Sequence, residues 1–268
     1  MNQLIKNYLN ELGFDTIRTL EDITKLIRAH ERAFAFSSLK VLLKEDISLE
    51  LESIYENIVA KKRGGYCFEH NKLMYEVLKA LGFDVQFFLA RVINNTTADV
   101  PQTHRFTLLN FKGERYLIDV GIGFRSPNVP VKFGSFDDES TYSHLGISYK
   151  IITNEDGTYN LALLEKGEWF KATKFDLNPC VEADFELGHF YSHKNPCAVF
   201  VNNLVISRID KECIYSLRNA DYIKIDENEF VKIPIDSVEK LTEVLTKDFN
   251  TKFSSQEILF FYNTYVKK

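Results

Sequence analysis

The apolar residues of this chain change from a helical to a strand-like spacing at Phe83, and that change restricts the folds open to it. Before Phe83 they recur at helical intervals. Leu4, Tyr8, Leu9 and Leu12 form one stripe, and Leu20, Ile23, Leu26 and Ile27 a second, opened by Thr19-Leu20-Glu21-Asp22, which has the pattern of a capping box. Leu51, Ile54, Tyr55, Ile58 and Val59 form a third, closed by Lys61, Lys62 and Arg63, whose charge suits the negative end of a helix. Gly64-Gly65 breaks the chain, and Phe68, Leu73, Met74, Val77, Leu78 and Leu81 start a fourth helix that runs to Gly82. Beyond Phe83 the period falls to about two. Segments 84–93, 104–111 and 114–120 read as strands, the last two joined at Lys112-Gly113. Further strands are expected at 147–152, 158–164, 168–173 and 198–207, a loop at 124–144, and helices at 236–249 and 254–264. A helical bundle followed by an antiparallel sheet is an α+β arrangement.

With 12 Gly and 6 Pro in 268 residues, and 45% hydrophobic side chains, little of the chain can be linker, so an ordered globular protein is expected. A net charge of −5 without a basic stripe argues against nucleic acid as a partner. The N-terminal stretch MNQLIKNYLNEL is interrupted by Asn, Lys and Glu and reads as an amphipathic helix, not a signal peptide. No uncharged apolar run is long enough to cross a bilayer, so no membrane is expected and the location is read as cytoplasmic. Cys67, Cys180, Cys197 and Cys213 are far apart and form no C-x-x-C, which points to free thiols rather than a disulfide framework or a metal site.

Cys67 stands out among them. It follows the Gly-Gly break and opens the fourth helix, where unpaired N–H groups and the positive end of the helix dipole stabilise a thiolate. A buried, inert cysteine is the other reading of the same position. His104 at the start of one strand and Asp119 near the end of its hairpin partner supply an imidazole and a carboxylate, which with a thiol make a nucleophilic triad. The His104 spacing from Cys67 differs from that of papain-like proteases.

The residues flanking this triad carry a specific resemblance. RGGYCFEHN (63–71) resembles the Arg-Gly-Gly-x-Cys-x-Glu-x-Asn signature of the arylamine N-acetyltransferases; THRFTLL and YLIDVGIGF resemble their Thr-His and Asp-Val-Gly-Phe-Gly segments. DFELGHFYSHKNPCAVFVNNLVISR (184–208) is similar to a further stretch of the family, so the resemblance covers about residues 1–220. It implies a helical bundle (1–83) carrying the cysteine, a β-barrel-like domain (84–195) carrying His and Asp, and a C-terminal α/β lid (196–268), around a cysteine-protease/transglutaminase-like catalytic core. It further implies Cys67 as the acetylated nucleophile, His104 as the base and Asp119 as its orienting group. Arg63, Glu69 and Asn71 would hold the cysteine loop, and Phe36, Tyr66 and Phe200 would line the acceptor pocket, with core packing as their other reading. Acetyl-CoA would be the donor substrate, no cofactor would be permanently bound, and the acceptor would be a small aromatic amine, hydrazine or hydroxylamine.

The chain departs from the family at two places. Ala35-Phe36-Ser37-Ser38-Leu39 stands where Pro-Phe-Glu-Asn-Leu is usual, and Ile122, with Phe124 two residues on, replaces the Phe of Asp-Val-Gly-Phe-Gly. The same triad order would also serve a transglutaminase-like acyltransferase or hydrolase, or an amide synthase. An unreactive Cys67 would leave a small-molecule binding protein. His189 and His193 have the spacing of a helical metal pair, but the segment reads as loop and strand and lacks H-E-x-x-H, so no metal is expected. GERY and GIGFRSP are not phosphate loops of the P-loop type. His30, His70 and His144 read as hydrogen-bonded or exposed histidines, and Cys180, Cys197 and Cys213 as core or surface thiols.

Overall fold

The computed structural model describes residues 2–134, 141–142, 146–165, 167–226 and 229–267. The first third is helical, with α1 (Gln3–Glu11), α2 (Leu20–Ala33), α3 (Leu39–Leu42), α4 (Leu51–Tyr55) and α5 (Cys67–Ala80). Thr19 caps α2 as its sequence indicates: its Oγ1 accepts from Asp22 N at 3.1 Å, and Asp22 Oδ2 accepts from Thr19 N at 3.0 Å. Inside this bundle Tyr8, Ile23, Leu26, Ile54, Met74 and Leu78 are buried together with Leu109 and Ile118 of the neighbouring sheet. Each fully buried side chain of this size contributes about 1.5–3 kcal/mol, and the sheet residues Leu109 and Ile118 add to the core the bundle builds.

One strand precedes α3, β1 (Phe36–Ser37), and the rest follow α5. They are β2 (Asp84–Val92), β3 (His104–Phe111), β4 (Glu114–Ile118), β5 (Val131–Lys132), β6 (Thr141–Tyr142), β7 (Ser148–Thr153), β8 (Tyr159–Glu165) and β9 (Glu168–Phe175). Among the described residues these eight form an antiparallel sheet in the order β5-β4-β3-β2-β9-β8-β7-β6. β5, at one edge, also packs on β7 near the other, so the sheet curls into a nearly closed barrel. Phe88, Phe106, Val131, Tyr149, Leu161 and Phe175 fill it. Lys112 (φ 52°) and Gly113 (φ 83°) make the tight turn of the β3–β4 hairpin, whose twist matches that of the strands.

The C-terminal third contains α6 (Glu182–Lys194), α7 (Val199–Asn202), and β10 (Val205–Ile209), β11 (Ile214–Arg218), β12 (Asp221–Ile225) and β13 (Phe230–Pro234). α8 (Val238–Glu243) and α9 (Ser255–Phe261) cover this second sheet, with Leu217, Tyr222, Leu245, Phe249 and Phe261 between the layers. Strand β1, from the N-terminal part, joins its edge by pairing Phe36 with Ser207.

A buried polar relay places β1. His70 Nε2 donates to the Ala35 carbonyl at 3.1 Å, leaving its Nδ1 to accept from His30 Nε2 at 2.7 Å. His30 Nδ1 in turn accepts from the Tyr8 hydroxyl at 2.8 Å. One carbonyl at the end fixes both tautomers, and burial keeps both rings neutral, His70 falling to about 4. His30 and His70 are therefore structural.

Three expectations are corrected. The segment of His189 and His193, read as loop and strand, lies in α6 (Glu182–Lys194); residues 198–207, read as one strand, divide into α7 and the start of β10. The loop at 124–144 includes the short β5 and β6, while 135–140, 143–145 and His144 lie outside the described residues. No helix among the described residues is long and apolar enough to cross a membrane.

Candidate active site

Cys67 is the first residue of α5 and is 3% exposed. The Gly-Gly break positions it. Gly64 has φ +73°, and a Cβ there would lie 2.5 Å from the Ala35 carbonyl oxygen, so only glycine permits β1 to approach. Ser37 N then donates to Gly65 O at 2.6 Å. Glu69, buried one turn along, accepts from Tyr66 N at 3.2 Å and from Asn57 Nδ2 at 2.8 Å, while the same Asn57 amide reaches Gly64 O. Burial raises the Glu69 pKa.

The β3–β4 hairpin delivers the other two groups. Its register pairs Thr107 with Ile118, so the next position, Asp119, lies across from Phe106 and on the same face as His104. His104 Nε2 meets Asp119 Oδ2 at 2.6 Å, with both side chains almost wholly buried. His104 and Cys67 line the same cavity, and the Cys67 sulfur is near enough to help hold a proton on the imidazole. The Cys67 thiol also lies 3.5 Å from Thr103 O. Asn71, one turn after Cys67 on α5, locks helix to hairpin: its Nδ2 donates to Asp119 Oδ1 at 2.8 Å and to Arg105 O at 2.5 Å, and its Oδ1 accepts from Val120 N at 2.9 Å. Gly121 N completes the Asp119 shell at 2.9 Å. A Cβ on Gly121 would stand 2.8 Å from the Cys67 Cα, so the strand end and the cysteine approach this closely only because position 121 is glycine.

Burial works against a charged His104, but the Asp119 carboxylate, by charge and by hydrogen bond, and then the Cys67 sulfur, outweigh it and raise the imidazole to about 10. A proton on this ring is held there through neutral pH.

A family model described as N-acetyltransferase matches residues 19–258. The arylamine N-acetyltransferase of Mycolicibacterium smegmatis is 29% identical over 251 residues, covering 90% of each chain. The chain belongs to the arylamine N-acetyltransferase family. The solved arylamine N-acetyltransferase of Salmonella typhimurium superimposes with a TM-score of 0.89 at 26% identity, over 97% of this chain and 98% of that one. The structure of the Mycobacterium marinum arylamine N-acetyltransferase in complex with CoA gives 0.90 over 98% and 99%, and at 23% identity this likeness is one of fold. The α+β architecture expected from the resemblance is thereby established.

A cavity of about 440 Å³ opens over Cys67 and His104. Phe36 and Phe200 line it, their ring centroids 5.8 Å apart. Tyr66 does not. It is fully buried behind Phe200, and its hydroxyl donates to His189 Nδ1, while His189 Nε2 donates to Ile47 O at 2.8 Å. The assignment of Tyr66 to the acceptor pocket is thus corrected: its ring packs and its hydroxyl anchors α6. With both nitrogens of His189 engaged, the His189/His193 pair is no metal ligand set. Arg63 binds Glu45 at 2.7 Å and, on α9, Glu257 at 2.8 Å, tying the cysteine loop to the C-terminal helix.

The departures from the family also have a place. Ser38 Oγ accepts from Val205 N at 3.0 Å and Ser37 Oγ from Leu39 N at 3.2 Å, fastening β1 and α3 to β10. Ile122 and Phe124 both face the cavity. Sequence reasoning missed Thr103, Arg125, Cys197, Ser207, Ser216 and Arg218, which line it as well. The alternation of Ser216 and Arg218 along one strand was the available signal, hidden because β11 was not recognised as a strand.

Proposed function

We propose that the protein moves an acetyl group from acetyl-CoA to an arylamine, arylhydrazine or arylhydroxylamine through an acetyl-cysteine at Cys67. The buried His104–Asp119 pair beside the thiol carries this reading. With the proton of the Cys67–His104 pair held on the imidazole, the Cys67 sulfur attacks the thioester carbonyl as a thiolate, and the tetrahedral oxyanion is met by the Cys67 backbone N–H at the helix end. Collapse expels CoA, which takes up the proton. The acceptor nitrogen then attacks the acetyl-cysteine, gives its proton to His104 and releases the Cys67 sulfur, restoring the enzyme. Exchange between two thioesters is close to thermoneutral, so the amide-forming half-reaction supplies the drive. Both halves share one site, which implies ping-pong kinetics. The names of the family relatives and the CoA complex of the fold relative from M. marinum support this choice of substrates. We place the reaction in the cytoplasm, where the unpaired cysteines remain reduced and Cys67 available.

Intact-protein mass spectrometry after mixing with acetyl-CoA alone tests the reading. A single acetyl adduct is expected, absent from Cys67→Ala and discharged by an arylamine, with turnover of the variant abolished. An adduct on folded Cys67→Ala, or none on the native protein, would overturn it.

A further inference from the structure

The cavity over Cys67 is electrostatically unlike the rest of the molecule. The chain carries a net charge of −5, yet no Asp or Glu is among the described residues lining the cavity, whereas Arg125 and Arg218 are. These two cations are not equivalent. Arg125 is committed: its Nε lies 2.8 Å from Glu165 Oε1, and its guanidinium is stacked on Phe124 and Phe170 at 4.5 and 4.2 Å. Arg218 makes no ion pair among the described residues. Its cross-strand neighbour on β12 is Asp221, whose carboxylate is taken by Lys232.

Strand geometry aims Arg218 at the opening. β10 and β11 pair Val205 with Arg218 and Ser207 with Ser216, so these four share one face, and all four line the cavity. Phe36 continues the Ser207–Ser216 row on β1. Along this wall Ser207 and Ser216 are buried, while Arg218, two residues further, is exposed. Cys67 is buried and Arg218 reaches solvent, so a ligand bound to both spans the cavity from floor to mouth.

We infer that Arg218 is the phosphate subsite for the donor, selecting acyl thioesters that carry an anionic nucleotide tail over neutral ones. The inference rests on the acyl-transfer reading above. With the thioester at Cys67, the uncharged pantetheine arm crosses the hydroxyl-bearing wall of Ser207 and Ser216, and the phosphates emerge where the uncommitted guanidinium offers paired N–H donors. Arg218 touches neither the acetyl group nor Cys67, so it acts on donor capture and not on the chemical step.

The test compares two donors with one arylamine, acetyl-CoA and the neutral S-acetyl-N-acetylcysteamine, for the native enzyme, Arg218→Ala and Arg218→Lys. In Arg218→Ala the ratio of kcat/KM for acetyl-CoA to that for the neutral thioester should fall about fivefold to tenfold, through KM for acetyl-CoA, the size expected for an exposed charged contact. Arg218→Lys should recover part of the ratio, and added salt should narrow the native preference. An unchanged ratio, or an equal loss with both donors, would overturn the phosphate subsite while leaving acyl transfer standing. A native enzyme that uses neither donor would overturn the acyl-transfer reading and this one with it.

Discussion

The two walls of the cavity are built on different terms. On one side, α5 and the β3–β4 hairpin hold Cys67, His104 and Asp119 in a shell where Asn71 and the Gly121 amide engage the Asp119 carboxylate and Asn71 fastens the backbone beneath. On the other, α7 and the β10–β11 sheet present Phe200, Ser207, Ser216 and Arg218, held by strand pairing and ring packing, with the Arg218 guanidinium unpaired among the described residues. Chemistry needs reacting atoms fixed to fractions of an ångström, and recognition of a long, flexible donor and a varied acceptor does not. Damage to the first wall should therefore strike turnover, and damage to the second should strike substrate preference.

Asp119→Asn should give the largest effect after loss of Cys67 itself. An amide that still satisfies Asn71 and Gly121 through its oxygen turns its NH₂ toward His104 Nε2, which must then accept. The ring, then neutral, carries its one proton on Nδ1, facing the thiol, and can no longer take the Cys67 proton; a loss of about 10³–10⁴ in kcat is expected. Stopped-flow release of CoA in the absence of acceptor measures this step alone. Stability carries a second signature. A histidine raised from 6.5 to about 10 contributes stability that is complete below its unfolded pKa and disappears as pH rises through about 10. The Tm gap between native enzyme and Asp119→Asn should therefore be wide at pH 6 and narrow at pH 10. A gap that widens with pH would contradict the charge pairing of His104 with Asp119.

Asn71→Ala tests whether the locking of the first wall is as important as its chemistry. The substitution strands the Val120 N–H and the Arg105 carbonyl and takes one donor from Asp119, all in a buried setting. A destabilisation of about 3 kcal/mol is expected, read from denaturant midpoints, with kcat lowered at least tenfold in the folded fraction. Normal kcat in a destabilised protein would separate the lock from the mechanism.

The first wall was legible in the sequence and the second was not, for physical reasons. The cysteine helix announces itself through Gly64-Gly65 and an apolar stripe. The hairpin announces itself through two alternating runs and Lys112-Gly113, and its register makes the meeting of His104 and Asp119 calculable. Helix α6 has the opposite character. It turns Leu187 and Phe190 to solvent, 72% and 63% exposed, while Gly188, His189 and Ser192 face inward. With Phe185 the only large apolar residue it buries and Leu187 and Phe190 turned outward, the helix has no apolar stripe to read. Gly188 is inside because a Cβ there would press on Phe68 and the Gln102 carbonyl at 2.8 Å, a tertiary contact that local periodicity does not record. The four residues of α7 are too few to show a period before β10 begins, which is why 198–207 read as one strand. Tyr66 was misplaced for a similar reason: a motif position fixes where an aromatic sits along the chain, but the partner of its hydroxyl, His189, lies on a helix the sequence did not reveal.

Tyr66 and Phe200 give the finest division between the walls, because their rings touch at 5.6 Å yet belong to different sides of it. Phe200 is half-buried at the cavity, so Phe200→Ala removes an aromatic surface from the acceptor side. KM for arylamines should rise about threefold to tenfold, the loss expected for one aromatic contact, while acetylation of Cys67 by acetyl-CoA proceeds at its native rate. Tyr66→Phe keeps the ring and removes only the donor to His189 Nδ1, so it should lower stability by about 1 kcal/mol without a selective rise in acceptor KM. The ping-pong scheme proposed above makes the comparison clean, since its two half-reactions can be timed separately on one preparation. If Tyr66→Phe raised acceptor KM as much as Phe200→Ala, α6 and its His189 anchor would have to be counted as part of the acceptor site, and the boundary between a fixed chemical wall and an adaptable binding wall would move behind Phe200.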